Sequence, residues 1–138
     1  MESMIKEKKE DRGKDQAIAQ IENIVEMIKD YTEAEKNNND EEMENARQTI
    51  EEDPLSLQIR SDWYSPGSEN NKPAEFEILL CTGGPAVRIV GDLNEYCQPE
   101  NPKIEYQDWF TPWIEYYNTD EEQQEAILRY CQIFYFGE

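Results

Sequence analysis

The chain has 138 residues, with 32 acidic and 13 basic side chains, no histidine and a net charge of −19. Its length is that of one ordinary domain, which is enough to bury a hydrophobic core. Its charge repels nucleic acid and anionic lipid and attracts basic protein surfaces, so direct binding to nucleic acid or to a membrane is not expected.

The first 53 residues are predicted to form a tail and an acidic helical extension. Residues 1–14 mix five basic and four acidic side chains with few apolar anchors, which is typical of a disordered tail. Residues 15–53 hold 13 acids and three bases, a net charge of −10. Apolar seams at helical spacing predict two amphipathic helices there, separated by an asparagine-rich turn at 37–40: Ile18, Ile21, Val25 and Ile28, then Met43, Ala46 and Ile50.

Residues 54–138 are predicted to form a sheet and a closing helix. Period-2 alternation of apolar residues predicts four strands, each with one buried face, at 55–64, 75–81, 86–91 and 103–109. The link Thr82-Gly83-Gly84-Pro85 between the second and third strands is too short for a parallel crossover. It favours a hairpin turn, with an anion-binding backbone nest as the alternative.

A final helix follows the last strand. Thr119 and Glu122 have the spacing of a capping box, and the helix is apolar nearly all round to about Phe136, with Gly137 as its C-terminal cap. Such a helix must be buried against the sheet. We therefore predict an α+β fold with two N-terminal acidic helices, a four-stranded antiparallel meander, and a C-terminal helix packed on the sheet.

Cysteine usage and hydropathy indicate the compartment. Cys81, Cys97 and Cys131 are odd in number and include no CxxC pair, which favours reduced thiols over a disulfide framework or a zinc site. No stretch approaches the roughly 18 apolar residues of a membrane helix, and the N-terminus has no signal-peptide pattern. We expect a cytoplasmic protein.

Three strings occur in order between roughly Asp62 and Glu138: CTGGPAVRIVGDL, EYQDWFTPW and FYFGE. Together they resemble a group of short uncharacterised proteins from plasmids, conjugative elements and prophages of gut-dwelling Firmicutes. The resemblance brings no activity or site residue to this chain, and residues 1–53 lie outside it. It implies a mobile-element setting, in which an anti-defence role is expected by association alone.

One hypothesis is a small enzyme or ligand-binding domain with a cleft near Gly83, Arg88 and Asp108. Asp108, Glu105 and Asp62 could supply paired carboxylates for general acid–base chemistry. The chain has no histidine and no neighbouring cation that would separate the roles of two carboxylates, so we expect no catalytic site. The sequence also lacks the spacing of an EF-hand or a P-loop, and we expect no metal and no cofactor.

A group of aromatic residues follows the fourth strand: Trp109, Phe110, Trp113, Tyr116 and Tyr117. Rings of this kind can stack on the bases of single strands, but such platforms also need a positive groove, and the neighbouring charges here are acidic. We expect most of these rings in the core. Trp109 and Trp113 are candidates for an apolar anchor at a protein interface.

The acids of the two predicted helices are the most unusual feature. Acids every three to four residues along one helix face give one charge per about 5–6 Å, and two paired helices halve that spacing. This density falls short of that of DNA, at one charge per about 1.7 Å, but suffices to compete for a basic groove. A solubilising surface is the alternative. The leading hypothesis is an inhibitor of a nucleic-acid-handling protein, such as a host defence nuclease, that acts as a nucleic-acid mimic of the anti-CRISPR or antirestriction kind. Its predicted contact residues, besides the two tryptophans, are Glu33, Glu41, Glu42, Glu44, Glu51, Glu52 and Asp53.

Overall fold

The computed structural model of the chain describes residues 12–68, 72–108 and 111–137. In chain order its elements are α1 (Arg12–Lys36), α2 (Asp40–Glu51), β1 (Ser56–Ser61), β2 (Pro73–Cys81), β3 (Ala86–Leu93), β4 (Pro99–Gln107), β5 (Ile114–Glu115) and α3 (Glu121–Ile133). The strands form one sheet in the order β1-β2-β3-β4-β5, and each neighbouring pair is antiparallel. The predicted α+β fold with an antiparallel meander is confirmed, and the two-residue strand β5 adds a fifth member to the sheet.

The core lies between one face of the sheet and the helices. Side chains that alternate along the strands fill the sheet side of the core: Phe76, Ile78, Leu80, Val87, Ile89 and Ile104. Helices α1 and α3 both contact the sheet, and α2 packs against these two helices. The predicted packing of the C-terminal helix on the sheet is confirmed, with Ile127, Tyr130 and Cys131 fully buried. The opposite sheet face, which we call the open face, carries the other side chains of the strands.

Helix α1 begins at Arg12, three residues before the predicted start. Ile21, Ile24 and Ile28 of the predicted apolar stripe are buried, together with Ala17 and Met27, while Ile18 and Val25 are only half-buried. A Cβ atom at Gly13 would lie 2.9 Å from the ring of Tyr106, so the start of α1 approaches β4 closely. Because Gly13 has no side chain and Ala17 has a small one, this side of α1 lies close to the sheet. Residues 1–11 of the predicted tail lie outside the described residues.

Strand β1 departs most from its prediction. It ends at Ser61, and the apolar side chains of Leu55, just before the strand, and of Leu57 and Ile59 within it are 60%, 41% and 48% exposed instead of buried. The alternation does place these residues on the core side of the sheet, but α1 contacts β3 and β4 and α3 contacts β4, so the helices cover the other end of the meander. Strand β4 begins at Pro99, four residues before the predicted start.

The ends of the shorter helices show how local hydrogen bonds decide the boundaries. Asn39 caps α2 by accepting a hydrogen bond from the Glu42 amide, as the predicted asparagine turn requires. In α3 the capping box uses Asp120 and Gln123, one residue later than predicted. The helix ends at Ile133, so Gly137, with φ of 87°, lies beyond it and is not its cap.

The turn between β2 and β3 and the three cysteines were also predicted from the sequence. Gly83 and Gly84, with φ of 97° and 130°, occupy the turn between β2 and β3, so the predicted hairpin is confirmed. All three cysteines are unpaired, as predicted, and Cys131 is fully buried. Burial raises the pKa of the Cys131 thiol well above its ordinary value, which keeps it protonated.

Candidate interaction surface

The outer side of α1 carries a stripe of four exposed carboxylates: Glu22, Glu26, Asp30 and Glu33. Successive members are four, four and three residues apart, so they lie on one helix face, opposite the stripe buried in the core. At a rise of about 1.5 Å per residue, the four carboxylates extend over about 16 Å of the helix. The predicted contact residue Glu33 is the last member of this stripe.

Helix α2 is almost entirely at the surface. Ile50 is its one buried residue, while Met43 and Ala46, predicted as part of the same seam, are half-buried. Its first turn holds three acids, Asp40, Glu41 and Glu42, and Glu44 follows in the next turn. All four are exposed. Acids in a first turn are favourable because the helix N-terminus carries partial positive charge, so this concentration of charge is compatible with a stable helix.

The acids at the other end of α2 have local partners. Glu51 accepts a hydrogen bond from Arg47 at 3.0 Å, and Glu52 accepts one from Gln48 at 3.0 Å. Both pairs have the i,i+4 spacing that stabilises exposed helices. These contacts offset the unfavourable placement of negative charge at a helix C-terminus. Glu51 and Glu52 remain exposed.

Asp53 has a structural contact that the sequence did not reveal. The hydroxyl of Tyr130, a fully buried residue of α3, donates a hydrogen bond to Asp53 Oδ2 at 2.8 Å. Burial, and then the hydrogen bond to this carboxylate, raise the pKa of Tyr130 far above its ordinary value. Asn23 of α1 also donates to Asp53, at 3.4 Å. Asp53 therefore ties the end of α2 to both other helices, and it is only half-exposed.

Few of the helical acids take part in ion pairs. Among the 13 acids of residues 15–53, two form ion pairs within the described structure: Glu35 with Arg129 at 2.9 Å and Glu51 with Arg47 at 3.0 Å. The acids that are both exposed and outside any such ion pair define what we call the acidic surface: Asp15, Glu22, Glu26, Asp30, Glu33, Asp40, Glu41, Glu42, Glu44 and Glu52.

The predicted aromatic anchors do not join this surface. Trp109 lies outside the described residues. Trp113 is half-buried and stacks on the guanidinium of Arg88, which lies 4.1 Å from the ring centroid. Arg88 alternates with the buried Val87 and Ile89, so it lies on the open face, away from the helices. The acids and Trp113 therefore occupy opposite faces of the sheet.

The residues of the hypothetical cleft also separate. Arg88 is bound on the open face by Glu77 at 2.6 Å and Glu105 at 2.7 Å. Asp108 accepts a hydrogen bond from the Gly13 amide at 2.8 Å, so its carboxylate caps the first turn of α1. Gly83 lies in the hairpin turn. Arg88 and Asp108 are therefore engaged on opposite faces of the sheet.

The candidate carboxylates are likewise divided. Glu105 is held by Arg88 on the open face, and Asp108 serves α1. Asp62 follows the end of β1 and is exposed. The antiparallel register places that end of β1 opposite the start of β2, whereas Asp108 follows the end of β4 beside the start of β3. The predicted paired carboxylates are therefore not brought together.

Comparison with known proteins returned no relative: no protein-family model, no curated protein and no solved structure matches the chain. In the described ranges, histidine, cysteine, aspartate and glutamate form no group of three that could bind a metal ion. The helices in these ranges also include none that is both long and apolar enough to span a membrane.

Proposed function

We propose that this chain is an interaction protein that inhibits a nucleic-acid-handling protein in the cytoplasm by presenting the acidic surface to that protein's basic groove. The proposal rests on one observation: of the 13 acids in residues 15–53, ten are exposed and outside any ion pair in the described structure. Carboxylates that stabilise a fold are commonly paired or hydrogen-bonded. Apart from Glu52, which binds Gln48, and the first-turn acids of α2, which suit the helix dipole, these acids contribute mainly an electrostatic field. A field of this sign attracts Lys- and Arg-lined grooves.

The arrangement of α2 supports the same role. An inhibitor that competes with nucleic acid must bring its charges close to the groove, and α2 exposes nearly all of its length. The helices α1 and α2 contact each other, so the carboxylate stripe on α1 and the first-turn acids of α2 belong to one helical layer. The resemblance to mobile-element proteins favours a host defence nuclease, such as a restriction or RNA-guided enzyme, as the target.

The experiment is a competition assay with purified restriction and RNA-guided nucleases and a labelled DNA substrate. We expect the protein to displace DNA from its target, with an affinity that falls steeply as salt is raised, because exposed charges are screened. The triple variant Glu41→Lys, Glu42→Lys, Glu44→Lys should bind about 100-fold more weakly, which corresponds to about 1 kcal/mol for each reversed contact.

A matched control is available in the first half of α3. Glu121, Glu122 and Glu125 are exposed, like the three acids of α2, and the first two also lie in a helix first turn. Their triple replacement by lysine changes the net charge by the same amount and has a similar cost at the helix dipole. It should lose less affinity than the α2 variant, because Glu122 and Glu125 border the acidic surface beside Glu33 but lie outside it. Equal losses in both variants would show that only net charge matters, and no loss in either would reduce the acids to a solubilising role.

A further inference from the structure

The largest group of exposed apolar side chains lies along and after β1. Nine large apolar or aromatic residues are exposed in the described part of the chain, and five of them fall within residues 55–64: Leu55, Leu57, Ile59, Trp63 and Tyr64. Such a concentration in one short stretch marks an interaction site, whereas single exposed residues need no explanation. We call Leu55, Leu57 and Ile59 the β1 row.

The β1 row continues the core face of the sheet. Leu57 lies opposite Ile78 and Ile59 lies opposite Phe76, and residues directly opposite each other in an antiparallel pair point to the same side. Ile78 and Phe76 are 0% and 2% exposed, because they lie within the core. The β1 row, 41% to 60% exposed, is thus an apolar strip that extends past the part of the sheet covered by the helices.

The strand that carries this row is also an edge. In the described sheet β1 pairs with β2 alone, so its other side presents backbone N–H and C=O groups without a strand partner. Proteins commonly protect such an edge with inward-pointing charges or proline. Residues 55–61 contain neither, and their one charge, Arg60, is bound to Glu75.

The β1 row is complementary to itself. If a second copy pairs antiparallel with the symmetry axis at Leu57, the two Leu57 side chains meet, and Leu55 of each copy lies opposite Ile59 of the other. Every member of the row then has an apolar neighbour. A register shifted by one residue would place apolar side chains against polar ones. A shift of the axis to Gln58 would leave Leu55 opposite Ser61.

Charge favours the same contact. At −19, two copies repel each other over most of their surfaces, but residues 54–61 contain no acid. In the register centred on Leu57, Arg60 of one copy lies opposite Pro54 of the other and next to its half-exposed Asp53. The β1 edge is therefore a place where a second copy meets no acid on residues 54–61 of the paired strand, although Arg60 is already bound by Glu75.

We propose that the chain forms a symmetric dimer in which β1 pairs antiparallel with β1 of a second copy about Leu57, so that the two five-stranded sheets become one. This interface uses none of the acidic surface and does not depend on the proposed inhibitory function. It buries the β1 row and pairs the open backbone edge in a single contact.

Disulfide trapping tests the register in the full chain, with Cys81 and Cys97 replaced by serine and the buried Cys131 retained. In this background Leu57→Cys should form an intermolecular disulfide, because opposite Cα atoms lie about 4.5–5.5 Å apart, within disulfide range. Gln58→Cys is the matched control: its two copies would be about 8 Å apart, beyond that range. A disulfide in the Gln58→Cys variant and none in the Leu57→Cys variant would overturn the proposal.

Analytical ultracentrifugation tests the association itself. The wild-type dimer should become tighter as salt is raised to about 500 mM, because screening weakens the repulsion between the two acidic chains. Leu57→Lys should be monomeric and should keep the wild-type circular dichroism spectrum. A wild-type chain that stays monomeric at about 0.1 mM in high salt would overturn the proposal. So would a chain that dimerises only after removal of residues 1–11, since that segment would then be the occupant of the β1 row.

Discussion

The acids at the centre of the open face and the acids of the helices differ in what holds them. On the open face Glu75 is bound by Arg60, and Glu77 and Glu105 share Arg88. On α1 and α2 most carboxylates are exposed and outside ion pairs in the described structure. In the first set two guanidinium groups bind three carboxylates and leave one net negative charge, whereas the second set keeps most of its charge exposed to solvent.

This difference shows that net charge alone does not locate a binding surface. Arg88 lies between two carboxylates and under the ring of Trp113, so four side chains form one compact group with a net charge of −1. Such a group has little left to offer a charged partner. In the described structure the acids of the acidic surface form no ion pair, although Lys29 and Lys36 also lie on α1, so their repulsion is relieved mainly by solvent, salt or a basic partner.

The largest expected effect on stability concerns Arg88, the cation that binds Glu77 and Glu105 on the open face. Arg88→Met would leave Glu77 and Glu105, with side chains 27% and 20% exposed, facing each other without a cation. Breaking a buried pair costs about 3–5 kcal/mol, and partial exposure here reduces the expected loss of unfolding free energy to about 2 kcal/mol. Urea denaturation monitored by circular dichroism measures it.

A control distinguishes charge from packing in that experiment. If the loss comes from the two unpaired carboxylates, adding Glu77→Gln and Glu105→Gln to the Arg88→Met variant should recover most of the stability. By contrast, Glu41→Gln, Glu42→Gln and Glu44→Gln together should change stability by less than about 0.5 kcal/mol. A large loss in this second triple variant would contradict the distinction between the two regions.

The secondary structure of each region could be predicted from the sequence, but several of its tertiary contacts could not. Period-2 and helical spacing predicted the antiparallel sheet and the two acidic helices, because these patterns depend on local geometry and burial. The exposure of the β1 row could not be predicted, since it depends on how far the helices extend across the sheet. The placement of Trp113 on the open face depends on the chain's path after β4, which no local pattern encodes.

Asp53 shows the same limit at a single residue. It reads as one more acid in a run of three, yet it accepts a hydrogen bond from a tyrosine 77 positions later in the chain. No spacing rule connects two residues so distant in sequence. Gly13 is a similar case, because its close approach to Tyr106 becomes visible only when α1 is packed on β4.

Asp53 and Glu52 therefore allow an acid with a buried partner to be compared with an exposed acid beside it in the chain. Asp53→Ala should lower the unfolding free energy by about 1–2 kcal/mol, because the buried Tyr130 hydroxyl loses a charged acceptor. Glu52→Ala, the adjacent acid, has only the exposed contact with Gln48 and should cost a few tenths of a kcal/mol. Thermal unfolding of the two variants, measured side by side, checks the difference. Equal losses would mean that the hydrogen bond to Tyr130 contributes nothing measurable.

The smallest expected effect concerns the pKa of Glu75. Hydrogen bonds from Arg60, at 2.8 and 3.1 Å, hold the pKa of this carboxyl below its ordinary value. A carboxyl with a lowered pKa in the folded state contributes stability above its ordinary pKa of about 4.3, and this contribution is lost as pH falls through the lowered folded value. Because the pair is exposed, the loss of stability should be slight.

The Glu75 effect is therefore measured at the residue by NMR titration of side-chain carboxyl carbons. Arg60→Gln should return the pKa of Glu75 toward its ordinary value, because the neutral amide lacks the positive charge that favours the carboxylate. Arg47→Gln, which removes a cation from α2 instead, serves as the control and should leave the titration of Glu75 unchanged. An unchanged Glu75 titration in Arg60→Gln would show that the ion pair is not populated in solution, and the open face would then differ from the helices less than its geometry indicates.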